Sequence, residues 1–171
     1  VATARIIKEE HPDALVVFIG PCASKKLEAS RRTVRSDVDF VITFEELTGM
    51  FEAKGILLEE IQAMDEMKDA TAAGRGYGVA GGVASAIEEC INKYYPGTEV
   101  KIEHAESLAE CKKMLLLAKA GKKNGCLIEG MACPGRCIAG AGTNMAIPQA
   151  MKEVNKFKEA AEKKVPDMIE E

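Results

Sequence analysis

The stretch "ALVVFIGPCASKKLEA", residues 14–29, joins a continuous apolar run to a turn that carries one cysteine and two lysines. The apolar part is rich in branched side chains, which is typical of a parallel strand buried on both of its faces. Gly20 and Pro21 predict that the strand ends there, so Cys22 follows its carboxyl end directly. A cysteine in this place can be a nucleophile, a metal ligand or a small buried residue.

Strand-like and helical segments alternate along the rest of the chain. Apolar periodicity predicts the helices, and the first of them starts at a capping box formed by Thr43 and Glu46. Further strands are predicted at "VDFVIT" (38–43), "EVKIEHAE" (99–106) and "CLIEGM" (126–131), and helices at "FEELTGMFEAKG" (44–55), "GGVASAIEECINKYY" (81–95) and "ESLAECKKMLLLAKAG" (106–121). This alternation predicts an α/β fold, with a mainly parallel sheet of about four strands flanked by helices.

The domain organisation is expected to be simple. A length of 171 residues suits one domain with its own core, so we expect residues 1–171 to form a single α/β lobe. Residues 145–171 are expected to form a C-terminal amphipathic helix whose tail frays beyond Pro166. The chain begins within a helical pattern and without a methionine, so we expect it to be part of a longer protein.

Composition excludes several classes of partner. The chain is 47% hydrophobic and 29% charged, with a net charge of -4, which is ordinary globular usage. It has no basic stripe with interleaved aromatic residues, so nucleic acid is not an expected partner. No apolar run approaches the roughly 20 residues of a membrane helix, and the N-terminus lacks the features of a signal peptide. The expected compartment is the cytoplasm.

The six cysteines fall into two groups. Cys90, Cys111 and Cys126 lie on apolar faces of predicted elements, Cys111 in a stripe with Leu108 and Leu115, and are expected in the core. Cys22, Cys133 and Cys137 lie in turn-forming sequence. This division is typical of reduced thiols with one special site and not of a secreted disulfide framework.

The second cysteine group stands in "MACPGRCIAG" (131–140), directly after the last predicted strand. Sites in open parallel sheets form beyond the carboxyl ends of the strands, so the sheet can bring Cys22 near this segment. Cys133 and Cys137 flank a Pro-Gly turn that can direct two thiolates at one iron–sulfur cluster, since soft thiolates select such clusters, zinc or Cu(I). A disulfide between them is the alternative. A [4Fe-4S] cluster takes four cysteines, one more than the turns provide.

These motifs resemble those of the [FeFe]-hydrogenase large subunit. "PCASKKLEA" (21–29) is similar to the family's second signature, Pro-Cys-x-x-Lys-Lys-x-Glu, and "EGMACPGRCIAGAG" (129–142) to its third, Glu-x-Met-x-Cys-x-Gly-x-Cys. "RSDVDFVITFEELTGMFEAKGI" (35–56) and "GRGYGVAGGVASAIEE" (74–89) also resemble the family in order and spacing. The resemblance covers nearly the whole chain and implies one lobe of the hydrogenase catalytic domain.

The resemblance implies a set of ligands. Cys22 and Cys133 would bind the [4Fe-4S] part of the H-cluster, and Cys137 would bridge it to the diiron subcluster, which carries CO and CN⁻. Pro21 and Gly135 would border the cofactor within the two motifs. The complete cofactor is expected in the full-length protein that contains this chain.

The resemblance also implies roles around the diiron subcluster. Lys25 would donate a hydrogen bond to a cyanide, Glu28 would orient Lys25, and Met131 would pack beside the two irons. The alternative for Lys25 and Lys26 is a pair of solvated surface lysines.

The implied reaction is 2H⁺ + 2e⁻ ⇌ H₂, with protons or H₂ as substrates and ferredoxin or other iron–sulfur domains as electron carriers. The family's first signature, Thr-Ser-Cys-Cys-Pro-x-Trp, is absent, so an N-terminal lobe is an expected partner and the fragment alone is expected to be inactive. Gly20 and Arg136 stand where the family commonly has methionine and glycine, which indicates a divergent subgroup. The alternatives are a non-catalytic hydrogenase-like protein in redox or H₂ sensing or in iron–sulfur assembly, and a thiol-containing α/β interaction domain.

Two other features predict structure and not function. "GYGVAG" (76–81) matches Gly-x-Gly-x-x-Gly, but no strand is predicted before it, so it is expected to be a glycine-rich start of a helix. His104, at the end of a predicted strand, is expected to be a hydrogen-bonded structural residue, since metal ligation needs partners.

Overall fold

The structure is a computed structural model that describes residues 1–62 and 68–167. The described residues confirm the α/β class and form seven α-helices and four strands. The helices are α1 (Ala2–Glu10), α2 (Ser24–Ser30), α3 (Phe44–Ala53), α4 (Ala72–Arg75), α5 (Gly82–Tyr94), α6 (Leu108–Lys119) and α7 (Ile147–Glu159), and the strands are β1 (Val17–Ile19), β2 (Phe40–Ile42), β3 (Lys101–Glu106) and β4 (Cys126–Met131). None of the helices described is long and apolar enough to cross a membrane.

The chain divides into two compact units. The first unit is Val1–Met64 with Gly140–Asn144, and the second is Asp65–Ala139 with Met145–Glu171. Each unit contains one parallel pair of strands, β1 with β2 and β3 with β4. All four strands were predicted, but within the described residues they form two two-stranded sheets instead of one sheet of about four.

Strand β1 is also less buried than its sequence predicts. It has only three residues, and Val17 and Ile19 are 44% and 46% exposed, so the expected burial on both faces is wrong. An apolar run identifies a short strand, but its burial depends on which elements cover it. The start of β1 is held by Asp39, whose carboxylate accepts hydrogen bonds from the Val16 N–H at 2.7 Å and from Lys8.

The first unit contains the predicted capping box. The Thr43 hydroxyl accepts a hydrogen bond from the Glu46 N–H, and the Glu46 carboxylate accepts one from the Thr43 N–H, at the start of α3. The segment Gly140–Asn144 belongs to this unit because Gly142 donates its N–H to the Pro21 carbonyl at 3.0 Å. A Cβ on Gly142 would lie 2.4 Å from the Cβ of Thr43, so the segment packs against Thr43 without a side chain.

Replacing Thr43 with alanine is therefore expected to lower the free energy of unfolding by about 1 kcal/mol, because the first turn of α3 loses its cap. Thr43→Ser keeps the hydroxyl and should recover most of that loss in urea titrations followed by circular dichroism. An equal loss in both variants would assign the effect to the methyl group against Gly142.

The second unit matches the predicted elements closely but not their burial. Ser107 caps α6 through the Glu110 N–H, yet Leu108 and Leu115 remain 74% and 67% exposed, so the predicted apolar stripe is not covered by described residues. The expected core cysteines are half-buried: Cys90 packs against Ala73, Ala86 and Val165, Cys111 lies by the Ala105 and Met131 carbonyls, and Cys126 opens β4. Helix α7 ends at Glu159, and the last part of the predicted tail, 168–171, lies outside the described residues.

Candidate metal centre

Cys22 lies in the first unit, between the end of β1 and the start of α2. The residues after it were expected to be a loop, but the Lys25 N–H bonds to the Cys22 carbonyl and α2 begins at Ser24. Residues Ser24–Ser30 are mostly good helix formers, which was the signal available in the sequence. The consequence is that Lys25 and Glu28 lie on one face of a helix that follows the cysteine.

The two lysines of this motif have different partners. Lys25 pairs with the Glu28 carboxylate, one turn along α2, and both side chains are partly exposed. Lys26 instead pairs with Glu46 of α3. The Lys26 ammonium, together with the Thr43 N–H, lowers the pKa of Glu46. Lys25 is therefore the lysine of this motif that pairs with Glu28, and Lys26 is engaged by another helix.

Cys133 and Cys137 lie in the second unit, on the turn that follows β4. The Arg136 N–H donates to the Cys133 carbonyl at 3.0 Å, and a short 3₁₀ turn begins at Cys137. Gly135 and Arg136 both have left-handed backbones, with φ of 78° and 66°. Cys133 is half-buried and Cys137 is exposed, and none of the six cysteines forms a disulfide.

A network of buried charged side chains contacts this turn. The side chain of Arg136 is 1% exposed, and its Nη1 lies 2.6 Å from Oε1 of Glu129, which is itself 5% exposed. Nε and Nη1 of Arg136 make no hydrogen bond of ordinary geometry among the described residues. The distance of 2.6 Å between Nη1 and Glu129 Oε1 is nevertheless that of a direct ion pair. Glu129 also accepts hydrogen bonds from the Ala84 N–H at 3.3 Å and contacts His104 Nδ1 at 2.9 Å.

Sequence reasoning found one end of this network only. His104 was expected to be a hydrogen-bonded structural residue, and its contact with Glu129 shows that bond. The role of Arg136 was missed, although Glu129 stands as a lone carboxylate within the apolar strand β4, directly beside His104 in the strand register. A lone acidic residue in a strand was the available signal for a buried cation.

The balance of effects on Glu129 favours its charged form. Burial alone would raise the pKa of this carboxyl, but the close contact with the Arg136 guanidinium and the hydrogen bonds with His104 and the Ala84 N–H together hold the pKa below its ordinary value of 4.5. A group with a depressed folded-state pKa stabilises the fold fully above its unfolded pKa. That stabilisation is lost as the pH falls through the folded-state value.

We expect Glu129→Gln to remove this pH dependence. Between about pH 5 and about pH 3, the wild-type chain should lose more of its unfolding free energy than the variant does. Urea titrations at a series of pH values would measure the difference, with Glu9→Gln, at an exposed glutamate of α1, as the control. Parallel pH profiles for Glu129→Gln and the wild type would contradict the expectation.

The donor set suits soft metals in its chemistry. Cys22, Cys133 and Cys137 offer thiols, the ligands that iron–sulfur clusters take. Within the described ranges, no three His, Cys, Asp or Glu side chains gather as a complete metal site. In their chemistry, these cysteines therefore fit ligands of an iron–sulfur cluster, one in the first unit and two in the second.

The remaining motif residues have clear structural places. Pro21 presents its carbonyl to Gly142, and Met131 ends β4 with its carbonyl accepting the Ser107 N–H at 2.8 Å. Gly135 suits this turn because its φ of 78° disfavours residues with a Cβ, and a Cβ there would also lie in tight contact, 3.1 Å, with the Cβ of Ala139. Residues 76–81 follow α4 and lead into α5, as expected for a glycine-rich start of a helix, and residues 68–75 contain no strand.

A family profile matches most of the chain. It is described as "Iron only hydrogenase large subunit, C-terminal domain", and it matches residues 1–141. The periplasmic [Fe] hydrogenase large subunit of Nitratidesulfovibrio vulgaris is 28% identical over 81% of the chain and 41% of its own length. Iron hydrogenase 1 of Clostridium pasteurianum is 26% identical over 84% of the chain and 31% of its own length. The chain thus spans less than half the length of these curated relatives.

Solved structures show the same fold. The chain aligns to a variant of the [FeFe]-hydrogenase HydA1 from Chlamydomonas reinhardtii with a TM-score of 0.56 at 19% identity, over 97% of the chain and 58% of that structure. A structure described as revealing stepwise [FeFe]-hydrogenase H-cluster assembly aligns with a TM-score of 0.54 at 20% identity, over 90% of the chain and 55% of that structure. At these identities the alignments establish the fold alone.

Proposed function

The chain belongs to the family of the iron-only hydrogenase large subunit, C-terminal domain, and on that premise we propose that it supplies H-cluster ligands to a hydrogenase. Cys22, Cys133 and Cys137 would hold the cofactor, consisting of a [4Fe-4S] cluster and a diiron subcluster. When bound, the cofactor supplies the iron chemistry for 2H⁺ + 2e⁻ ⇌ H₂. The chain's own residues hold, orient and shield it.

The observation that carries this proposal is the hydrogen bond between Gly142 and Pro21. Pro21 is the residue before Cys22, and Gly142 follows Cys137 in the same glycine-rich segment as the third signature. Both signatures therefore have residues within the first unit. This supports a common role for the two motifs that were predicted to act together.

The proposed role of Lys25 is to donate a hydrogen bond to an anionic diatomic ligand. Its ammonium has three donors, and Glu28 accepts one of them, so two remain for a ligand. Glu28 on the same helix face limits the rotamers of Lys25 and would act as its positioning residue. Met131 would contribute an apolar contact, and Pro21 and Gly135 would border the cofactor through their turns.

Partners of the whole protein are part of the proposal. The family's Cys-Cys-Pro signature is absent from this sequence, so an N-terminal lobe would supply the fourth cluster ligand and the cysteine that relays protons. Ferredoxin or another iron–sulfur domain would carry electrons. The cytoplasm remains our expected compartment, although one curated relative is periplasmic.

The alternative proposal is a hydrogenase-like protein that senses redox state or H₂, or acts in iron–sulfur assembly. The observation in its favour is Arg136, a charged and buried residue on the turn where the family commonly has glycine. Turnover separates these functions, because a sensor would hold the diiron subcluster with little H₂ production. An assembly protein would lack the cyanide and carbonyl infrared bands.

We expect the isolated chain to produce no H₂ from protons when a strong reductant supplies electrons, because the chain lacks the fourth cluster ligand. The assay compares the anaerobically reconstituted chain with a cluster-free control by gas chromatography. The protein that contains this chain with its N-terminal lobe should produce H₂ under the same conditions. H₂ from the isolated chain above the control would contradict the proposed division of ligands.

A further inference from the structure

Arg136 is the largest fully buried side chain among the described residues, with 2% of its surface exposed. It lies on the turn between Cys133 and Cys137, where a solvated surface residue would be the common expectation. A buried guanidinium is costly unless carboxylates face it. The structure provides two, Glu129 on β4 at 2.6 Å and Glu106 at the end of β3 at 3.7 Å.

One of these carboxylates, that of Glu106, also holds the backbone of the turn. Glu106 accepts a hydrogen bond from the Gly135 N–H at 3.3 Å, in addition to facing Arg136. Glu129 is fixed in turn by the Ala84 N–H and by His104. One network therefore connects the cysteine turn to β3, β4 and α5.

Backbone strain is concentrated at the same place. Arg136 has a φ of 66°, and Ser107, which follows Glu106, has a φ of 104°. Non-glycine residues keep such conformations only where the surrounding structure enforces them. Glycine would adopt the Arg136 backbone without strain, so the arginine must be retained by what its side chain contacts.

We propose that Arg136 is a positioning residue that fixes the orientation of the Cys133 and Cys137 side chains. Its ion pairs with Glu129 and Glu106 lock the left-handed turn, so the two thiols keep fixed directions before a cluster is bound. Arg136 also carries a buried positive charge one residue before Cys137 in the sequence, and this charge would favour the more negative, reduced state of a bound cluster. The identity of the cluster rests on the proposed function, but the preset turn does not.

The first experiment measures the turn without any metal. In the cluster-free chain, Arg136→Gly should accelerate hydrogen exchange of the Gly135 and Ala139 amides at least tenfold, and Arg136→Lys should have an intermediate effect. Arg35→Gly is the matched control, since Arg35 is an exposed arginine with a φ of 48°. Unchanged exchange of the Gly135 and Ala139 amides in Arg136→Gly, or an equal acceleration of the same two amides in Arg35→Gly, would overturn the proposal.

The second experiment measures the midpoint potential of the cluster in the protein with its cofactor bound. In the protein that carries the complete cofactor, Arg136→Gly should lower the midpoint potential of the iron–sulfur cluster, with Arg136→Lys closer to the wild type. Should Arg136→Gly fold poorly, the double variant Glu129→Gln with Arg136→Gly removes the uncompensated buried carboxylate and must still show fast exchange. A lower melting temperature with unchanged potential and exchange would mean a merely structural role and would refute the inference. If the wild type binds no cluster, the proposed function fails while the exchange result still decides the inference.

Discussion

Cys137→Ser, introduced into the longer protein that we propose to be a hydrogenase containing this chain, is expected to reduce H₂ evolution and uptake to the level of a cluster-free control. A serine hydroxyl is a hard and weakly acidic donor, so it replaces a thiolate poorly where two metal groups share one sulfur. The infrared bands of CO and CN⁻ should disappear, because Cys137 is proposed to be the bridge to the diiron subcluster. The absorbance of the [4Fe-4S] part should be partly retained through Cys22 and Cys133.

The control for this variant is Cys126→Ser. Cys126 opens β4 and is half-buried, but it lies at the opposite end of that strand from Met131 and the cysteine turn. It should keep the infrared bands and most of the activity. Retained CO and CN⁻ bands in Cys137→Ser, or their loss in Cys126→Ser, would contradict the ligand assignment.

The parts of this fold that sequence reasoning predicted depend on local patterns. The capping box at Thr43 and the strand at Cys126–Met131 are encoded within a few neighbouring residues, and both were found. The division of the strands into two pairs, β1 with β2 and β3 with β4, was not predicted. Contacts between segments distant in sequence decide which strands pair, and local patterns do not show them. The exposed Leu108 has the same cause, since periodicity shows an apolar face but not what covers it.

The candidate site shows the same limit at the level of single residues. Cys22, Cys133 and Cys137 were selected from motifs, and these positions remain predictions of ligation. The pairing of Arg136 with Glu129 was not found, because it joins a turn to a strand through side chains that approach only after folding. Short helix α2 was also missed, since seven residues are too few to show helical periodicity.

Gly82→Ala is the second change for which we expect a large effect, a loss of about 3 kcal/mol or more in the free energy of unfolding. A Cβ on Gly82 would lie 1.9 Å from the carbonyl oxygen of Gly76 and 3.2 Å from the Cα of Tyr77. Both atoms are backbone, so no rotamer change can relieve the clash. The start of α5 would have to move as a whole.

The consequence of that movement extends to the charge network. The Ala84 N–H, two residues into the same helix, donates to Glu129, and Glu129 in turn faces Arg136. Gly82→Ala should therefore accelerate amide exchange both in α5 and at Gly135. This gives Gly82 a packing role, in which its backbone approaches the backbone of Gly76 at the start of "GYGVAG". The spacing of that motif imitates a phosphate-binding loop, but no strand precedes it in residues 68–75.

Gly49→Ala provides the matched control within a helix. Gly49 lies in α3, and a Cβ there meets no atom within 4 Å. Alanine should stabilise this position by up to about 1 kcal/mol, because it restricts the unfolded chain and favours the helix. Residue-resolved hydrogen exchange would separate the two cases, since it reports on α3 and α5 individually even when the two units unfold independently. Similar small effects for Gly82→Ala and Gly49→Ala would show that the close approach of Gly82 to Gly76 is not required.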